Sequence, residues 1–164
     1  MQKFAQKWCL VSFLEPVDDG AKFFWKDWPL HVTLAGVFAA DWKNTILKED
    51  LTSLLVNQKQ ITTTAEDEDF WGEDKEYHVI KLKKNPEIAT MHNSIVKTLK
   101  NSGAVFNEDR FVADGFIPHS TVQKHARLNT GDSVTINSVT LIDMFPKGDW
   151  RQRKVVWTVR LKES

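Results

Sequence analysis

The sequence predicts an α+β protein with two pseudo-symmetric lobes of mostly antiparallel sheet, helices packed outside the sheets, and a cleft between the lobes. Short runs of strand-forming residues alternate with two apolar stripes of helical period. A His-x-Thr-aliphatic pattern also occurs twice, at residues 31–34 and 119–122, about half the chain apart. A length of 164 residues suits one two-lobed domain over residues 1–164.

The first half of the chain is predicted to contain two strands followed by a helix. Residues 8–15 are almost entirely apolar, which favours a central strand, and residues 16–20 form a turn. An aromatic-rich stretch, 21–29, leads to the strand of the first His-x-Thr pattern. The helix is expected to begin at Asp41 as N-cap, with an apolar stripe of Trp42, Ile46, Leu47, Leu51, Leu54 and Leu55.

The second half is predicted to contain strands at 60–65 and 77–83, separated by an acidic run, 66–76, interpreted as a solvated loop. Asn85 and Pro86 then open a second helix, with Gly103 near its C-terminal cap. The second His-x-Thr strand follows. The tail is predicted to form two strands, 133–145 and 154–162, joined by a hairpin at 146–149.

The two His-x-Thr patterns are the candidate functional residues. Side chains alternate between the faces of a strand, so His31 and Thr33 share one face while Val32 and Leu34 take the other. The same alternation pairs His119 with Thr121. Each strand can therefore bury its aliphatic face and present an imidazole and a hydroxyl to a cleft. We expect the two pairs to meet there and to bind a phosphate.

Charge and cysteine content exclude several classes of protein. Lysine plus arginine equals aspartate plus glutamate at 22 each, which argues against a sequence-blind nucleic-acid binder. Cys9 is the only cysteine, so the chain has neither an internal disulfide nor a cysteine-rich metal site. No signal-peptide pattern or membrane-length apolar run occurs, and a cytoplasmic location is expected.

The paired His-x-Thr patterns resemble those of the 2H phosphoesterase superfamily, and most closely its 2′-5′ RNA ligase-like and 2′,3′-cyclic phosphodiesterase branch. The resemblance is sharp at residues 29–36 and 115–123 and extends to element order over most of the chain. It implies that His31 and His119 are catalytic and that Thr33 and Thr121 contact the phosphate. It also implies a 2H phosphoesterase-like fold.

The expected activity is metal-independent hydrolysis of a 2′,3′-cyclic phosphate, or of a related 2′-linked phosphodiester, in a nucleotide or RNA end. Histidine titrates near neutral pH, so one imidazole can activate water while the other protonates the leaving oxygen. Ligation to a 2′-5′ linkage would be the same chemistry in reverse. No cofactor, metal or obligate protein partner is expected.

Weaker candidates for substrate contact surround the two patterns. Trp25 and Trp28 precede the first and could stack on a base, whereas Gln123, Lys124 and His125 follow the second. Two alternatives remain open. The chain could be a nucleotide- or RNA-end-binding module with little turnover, or the two histidines and a carboxylate could bind zinc, although their spacing does not favour a metal site.

Overall fold

The computed structural model describes residues 6–41 and 45–163. The strands in these ranges are β1 (Lys7–Phe13), β2 (Lys22–Phe24), β3 (His31–Ala39), β4 (Ile61–Trp71), β5 (Tyr77–Leu82), β6 (Val105–Phe106), β7 (His119–Thr121), β8 (Ser133–Ile136), β9 (Ser138–Asp143) and β10 (Gln152–Arg160). The helices are α1 (Thr45–Val56) and α2 (Pro86–Asn101). Single 3-10 turns occur at Asp109–Phe111, Ala113–Gly115 and Pro146–Gly148.

The strands form two sheets whose paired neighbours are antiparallel. The larger sheet has six strands in the order β2-β10-β9-β1-β3-β6, and the smaller has four in the order β7-β5-β4-β8. The predicted α+β class is therefore confirmed. Each sheet contains one His-x-Thr pattern, and in both cases the histidine is the first residue of its strand, β3 or β7.

The second helix begins and ends as its sequence predicts. The Asn85 side chain caps α2 by accepting a hydrogen bond from the backbone N–H of Glu87 at 2.8 Å. Gly103, just past the helix end, has a φ of +90°, a conformation that favours glycine. The helix buries one face, formed by Ile88, Met91, His92, Ile95, Val96 and Leu99.

The first helix buries a narrower stripe than the sequence predicts. Leu47, Leu51 and Leu55 are fully buried, but the Ile46 side chain is 60% exposed, so its place on the buried stripe was wrong. A side chain adjacent in sequence to a core residue is rotated about 100° around the helix, beyond the packed face. Residues 42–44 lie outside the described residues. The predicted place of Trp42 on the stripe and the predicted N-cap at Asp41 depend on this segment and stay predictions.

Three strand predictions are corrected. The stretch 21–29 contains the short edge strand β2, paired with β10, and β4 continues to Trp71 through half of the acidic run taken for a loop. The tail segment 133–145 is two strands rather than one. Its first part, β8, pairs with β4 in the smaller sheet, and after Asn137 its second part, β9, pairs with β1 and β10.

The buried side chains position both signature strands. Val32 and Leu34 of β3 are fully buried in a core shared with the helices and the smaller sheet, as the alternation predicts. A second apolar cluster, which includes Val11 and Phe13, lies on the opposite face of β1. Within the described residues, no helix has the length and apolar character needed to cross a membrane.

Candidate active site

Strand pairing places the two histidine–threonine pairs on defined sheet faces. In the larger sheet Phe13 lies opposite His31 and Val11 opposite Thr33. In the smaller sheet Lys81 lies opposite His119 and Val79 opposite Thr121. The strands β3 and β7 contact each other although they belong to different sheets. The two patterns are thereby brought together at the junction of the sheets.

Both imidazoles make the same local hydrogen bond. Nδ1 of His31 is 2.8 Å from the carbonyl oxygen of Pro29, and Nδ1 of His119 is 2.8 Å from that of Ile117. A carbonyl oxygen only accepts, so Nδ1 carries the proton in each ring. This fixes the tautomer and leaves Nε2 of each histidine as the nitrogen that can exchange a proton with a substrate.

The protein environment lowers the pKa of both histidines. The pKa of His31 is lowered to about 4, chiefly by burial; the hydrogen bond to Pro29 opposes this shift and the charge of His119 adds to it. Burial also lowers the pKa of His119, against the opposing effect of the Ile117 hydrogen bond. Because the pKa of His31 is lowered to about 4, His31 is neutral near neutral pH.

An indole packs against each imidazole. The ring centroids of Trp28 and His31 are 4.6 Å apart, and those of Trp71 and His119 are 4.4 Å apart. The ring of Phe13 adds an edge contact to His31 at 6.3 Å. These rings contribute to the burial of both imidazoles, and burial is the largest cause of their lowered pKa values.

The two threonines are half-buried beside the histidines. Thr33 and Thr121 each lie two residues after their histidine and therefore on the same sheet face. Among the described residues, neither hydroxyl has a hydrogen-bond partner in the protein. Both hydroxyls are thus free to donate to a bound group, and their assignment to a phosphate stays a prediction.

The weaker candidates are placed unequally. Trp28 lies against His31, whereas Trp25 packs against Trp150, with 5.9 Å between ring centroids. The side-chain amide of Gln123 donates to the backbone oxygen of Thr121 at 3.3 Å, and Lys124 is exposed. None of these contacts tests a substrate role.

The fifth weaker candidate, His125, lies within hydrogen-bond distance of Glu15. Its Nε2 lies 2.9 Å from one carboxylate oxygen of Glu15, and the same oxygen accepts a hydrogen bond from the backbone N–H of Leu30 at 3.0 Å. Leu30 directly precedes His31. The Glu15 carboxylate therefore ties the segment after the second pattern to the segment before the first.

Three residues around His119 were not among the sequence candidates. The indole Nε1 of Trp71 donates to Asp69 at 2.9 Å, and the Lys81 ammonium lies 3.8 Å from the same carboxylate. Lys81 pairs with His119 in the ladder, so its charge is on the histidine face. Alternation along β5 could have identified Lys81. An exposed Trp71 in a predicted loop is a possible substrate contact by sequence, but its packing against His119 depends on the acidic run forming strand β4.

A cavity of about 540 Å³ adjoins the His31 side of the site and includes Phe13, Glu15 and Leu30 in its lining. Its far wall contains Thr140 and Thr158. Thr140 is the ladder partner of both Val11 and Thr158, and Val11 is also the partner of Thr33. Both wall threonines therefore lie on the same sheet face as Thr33. The volume is within the range of small-molecule sites. Within the described part of the chain, no three histidine, cysteine or acidic side chains are grouped to hold a metal ion.

Comparison with known proteins gives one family and one fold. The family model described as "2′-5′ RNA ligase superfamily" matches residues 19–143. Among curated proteins no sequence matches this chain. The structure is similar to that of E. coli LigT complexed with 3′-AMP, at 19% identity and a TM-score of 0.62 over 96% of this chain and 98% of that one.

Two further solved structures are similar. One, described as a phosphoesterase, has 18% identity and a TM-score of 0.60 over 96% of this chain and 98% of its own. A protein of Thermus thermophilus has 14% identity and a TM-score of 0.57 over 96% of this chain and 99% of its own. At these identities the structural likeness establishes the fold alone, a LigT-like α+β arrangement of two antiparallel sheets.

Proposed function

The chain belongs to the 2′-5′ RNA ligase superfamily, and we propose that it hydrolyses a 2′,3′-cyclic phosphate, or a related 2′-linked phosphodiester, at a nucleotide or RNA end. The observation that carries the proposal is the pairing of His31 and His119. Each imidazole sits at the start of a strand, donates Nδ1–H to a carbonyl two residues earlier, and keeps Nε2 for the substrate.

In the proposed reaction, Nε2 of neutral His31 accepts a proton from water as the water oxygen bonds to phosphorus. The bond from phosphorus to one ribose oxygen breaks, and that oxygen takes a proton from Nε2 of protonated His119. The product is a phosphomonoester. The hydroxyls of Thr33 and Thr121 donate to the non-bridging oxygens, where negative charge increases in the transition state.

The assignment of base and acid follows from electrostatics. His31 has the lower pKa, about 4, so it is neutral near neutral pH and suits the general base. The positive charge of His119 lowers the pKa of His31 further, which favours one proton shared by the pair. A bound phosphate anion raises the pKa of an adjacent imidazole, and so favours the protonated His119 that an acid requires.

A protein with this fold has been crystallised with nucleotides, which supports a nucleotide substrate here. Crystal structures of E. coli LigT contain 3′-AMP, ATP or NADP⁺. In the present chain the cavity beside His31 has an apolar wall with Phe13, Leu30 and Leu128, and a hydroxyl-bearing wall with Thr140 and Thr158. We infer that a base and a ribose occupy it while the phosphate lies between the histidines. An RNA 5′-hydroxyl replacing water would turn the reverse reaction into 2′-5′ ligation.

The test is incubation with nucleoside 2′,3′-cyclic phosphates, a 2′-5′ oligoadenylate and ADP-ribose cyclic phosphate, with and without EDTA. Product analysis separates 2′- from 3′-phosphates. We expect turnover of at least one cyclic phosphate and no effect of the chelator. Loss of activity in EDTA, restored by zinc, would instead favour the metal-site alternative. A chain that binds the nucleotides but releases no product would be the binding module.

A further inference from the structure

An exposed aromatic surface lies at the end of the larger sheet, where β2 pairs with β10. We call it the Trp25–Trp150 platform, consisting of Phe24, Trp25 and Trp150. Trp150 is 57% exposed and Phe24 39% exposed, and Trp25 lies between them with ring centroids at 5.9 and 6.0 Å. Burial does not account for these rings. The rings are tilted by 50° and 49° and so do not stack on one another. Exposed aromatic rings are the feature on which single-stranded nucleic acids stack their bases.

The platform is surrounded by positive charge although the whole chain has a net charge of zero. Residues 22–28 and 147–154 contain two aspartates, Asp27 and Asp149, and six basic residues, which are Lys22, Lys26, Lys147, Arg151, Arg153 and Lys154. Lys22 and Lys154 lie directly opposite each other in the ladder. Asp143 of β9 lies opposite Lys154 on its other side, so one carboxylate faces two ammonium groups and the row keeps a net positive charge.

Contacts connect the platform to the first histidine. The Arg153 guanidinium donates to the backbone oxygen of Trp150 at 2.7 Å and lies 6.0 Å from the centre of the Trp28 ring. Trp28 in turn packs on His31 at 4.6 Å. One arginine and one indole therefore lie between the backbone of Trp150 and the imidazole of His31.

The other side of the site carries the opposite charge. Residues 66–76, in β4 and the turn that follows it, include seven acidic residues and one lysine. Trp71 in this segment contacts His119. A polyanionic strand is repelled there and attracted at the platform. A bound strand is therefore expected to extend from the His31 side of the site and not from the His119 side.

From this arrangement we propose that the Trp25–Trp150 platform binds the nucleotides that adjoin the reacting end of a single-stranded RNA. The inference rests on the proposed function for the reacting end. One base stacks on the exposed face of Trp150, and Lys147 and Arg151 contact the phosphates beside it. The strand leaves the cleft along β2 and away from the acidic β4–β5 turn.

Binding to product-ended RNA tests the platform without requiring turnover. Fluorescence anisotropy would compare a labelled hexaribonucleotide ending in a 3′-phosphate with competing 3′-AMP and with the matching deoxy-oligomer. We expect the hexamer to bind at least tenfold more tightly than 3′-AMP. Trp150→Ala should weaken hexamer binding about 5- to 100-fold. The double variant Lys147→Gln with Arg151→Gln should also reduce the slope of log affinity against log salt by about 1.4.

Controls separate this inference from the proposed function. The exposed helix lysines provide a matched double variant, Lys48→Gln with Lys97→Gln, and the exposed Phe111 provides Phe111→Ala. Neither should change hexamer binding, and the platform variants should hydrolyse a mononucleoside cyclic phosphate like the wild type. Equal affinity for hexamer and 3′-AMP, or platform variants that bind as wild type, would overturn the platform. Absence of all hydrolysis with intact hexamer binding would overturn only the enzymatic proposal.

Discussion

The indole of Trp71 stands edge-on to the imidazole of His119, with 4.4 Å between their ring centroids and 63° between their planes. Trp28 occupies the corresponding place beside His31. The two indoles come from unrelated positions, one three residues before its histidine and the other on a different strand. Both nonetheless shield an imidazole from solvent, and that shielding shifts protonation equilibria at the site.

Removing the Trp71 ring should raise the pKa of His119, because solvent then reaches the charged imidazole. In Trp71→Ala the basic limb of the pH profile of kcat/KM should move to higher pH, whereas Trp71→Phe should keep most of the wild-type profile. Steady-state kinetics across pH measures the limb. An unchanged limb in Trp71→Ala would show that burial by this ring does not control His119.

Replacing either histidine should nearly abolish hydrolysis. A positioned acid or base contributes about 10²- to 10⁴-fold to rate, so we expect kcat to fall by that factor in His31→Ala and in His119→Ala. The double variant should lose little more than either single one, since the residues act as a unit. Circular dichroism is the control for folding. Near-wild-type turnover in either variant would refute the roles assigned here.

The pH profile of kcat/KM should be bell-shaped with its maximum on the acidic side of neutral. The reaction needs neutral His31, whose pKa is about 4, and protonated His119, whose pKa is lowered from 6.5. Activity should therefore fall below about pH 4 and again as pH rises past the pKa of His119. Stopped assays on a cyclic phosphate measure both limbs. A maximum above pH 8 would contradict this electrostatic description.

Stability should decrease in mild acid. The folded pKa of His31, about 4, is below its ordinary value of 6.5, so the unfolded chain binds the extra proton between these pH values. The free energy of unfolding is therefore highest above about pH 6.5 and decreases as pH falls towards 4. The shift corresponds to about 3 kcal/mol, and partial solvation of the ring reduces this to about 1–2 kcal/mol.

Urea titrations from pH 7 to pH 4 measure that decrease. In His31→Gln the curve should be flatter over the same interval, because the residue that resists protonation is gone. The remaining slope would come from His92 and His119, whose pKa values burial also lowers. If the variant and the wild type lost stability in parallel, His31 would not be the group responsible.

His92→Ala should destabilise the fold by about 2–4 kcal/mol. Nδ1 of this buried ring donates to the Leu34 oxygen at 2.7 Å, Nε2 accepts from the Ala113 N–H at 3.0 Å, and Phe116 stacks on it at 3.8 Å. Denaturant unfolding measures the loss. His92→Gln, which can keep one of the bonds, should lose less. Equal stability of all three proteins would exclude an anchoring role for His92.

The sequence was most informative where a local rule and the tertiary environment agree. Asn85 and Pro86 open α2 as their capping chemistry predicts, and Val32 and Leu34 are buried as the β3 alternation predicts. In each case residues close in sequence determine the outcome.

The sequence was least informative where pairing between distant segments determines the structure. Nothing in residues 133–145 signals that Asn137 marks a change of sheet, because both halves alternate well enough to be one strand. The acidic residues of β4 have little strand propensity, and pairing with β5 overrides it. The basic residues around the Trp25–Trp150 platform could not be predicted from composition either, because a net charge of zero says nothing about how charges are distributed over a surface.

The pairing of β1 with β9 has a consequence for synthesis. Trp8 has Asp143 as its ladder partner, and β10, which ends at Arg160, completes the sheet beyond β9. A nascent chain that has already exposed His31 and His119 outside the ribosome therefore still lacks two neighbours of its first lobe. The larger sheet, which holds His31 beside His119, is therefore completed only after translation has passed Arg160.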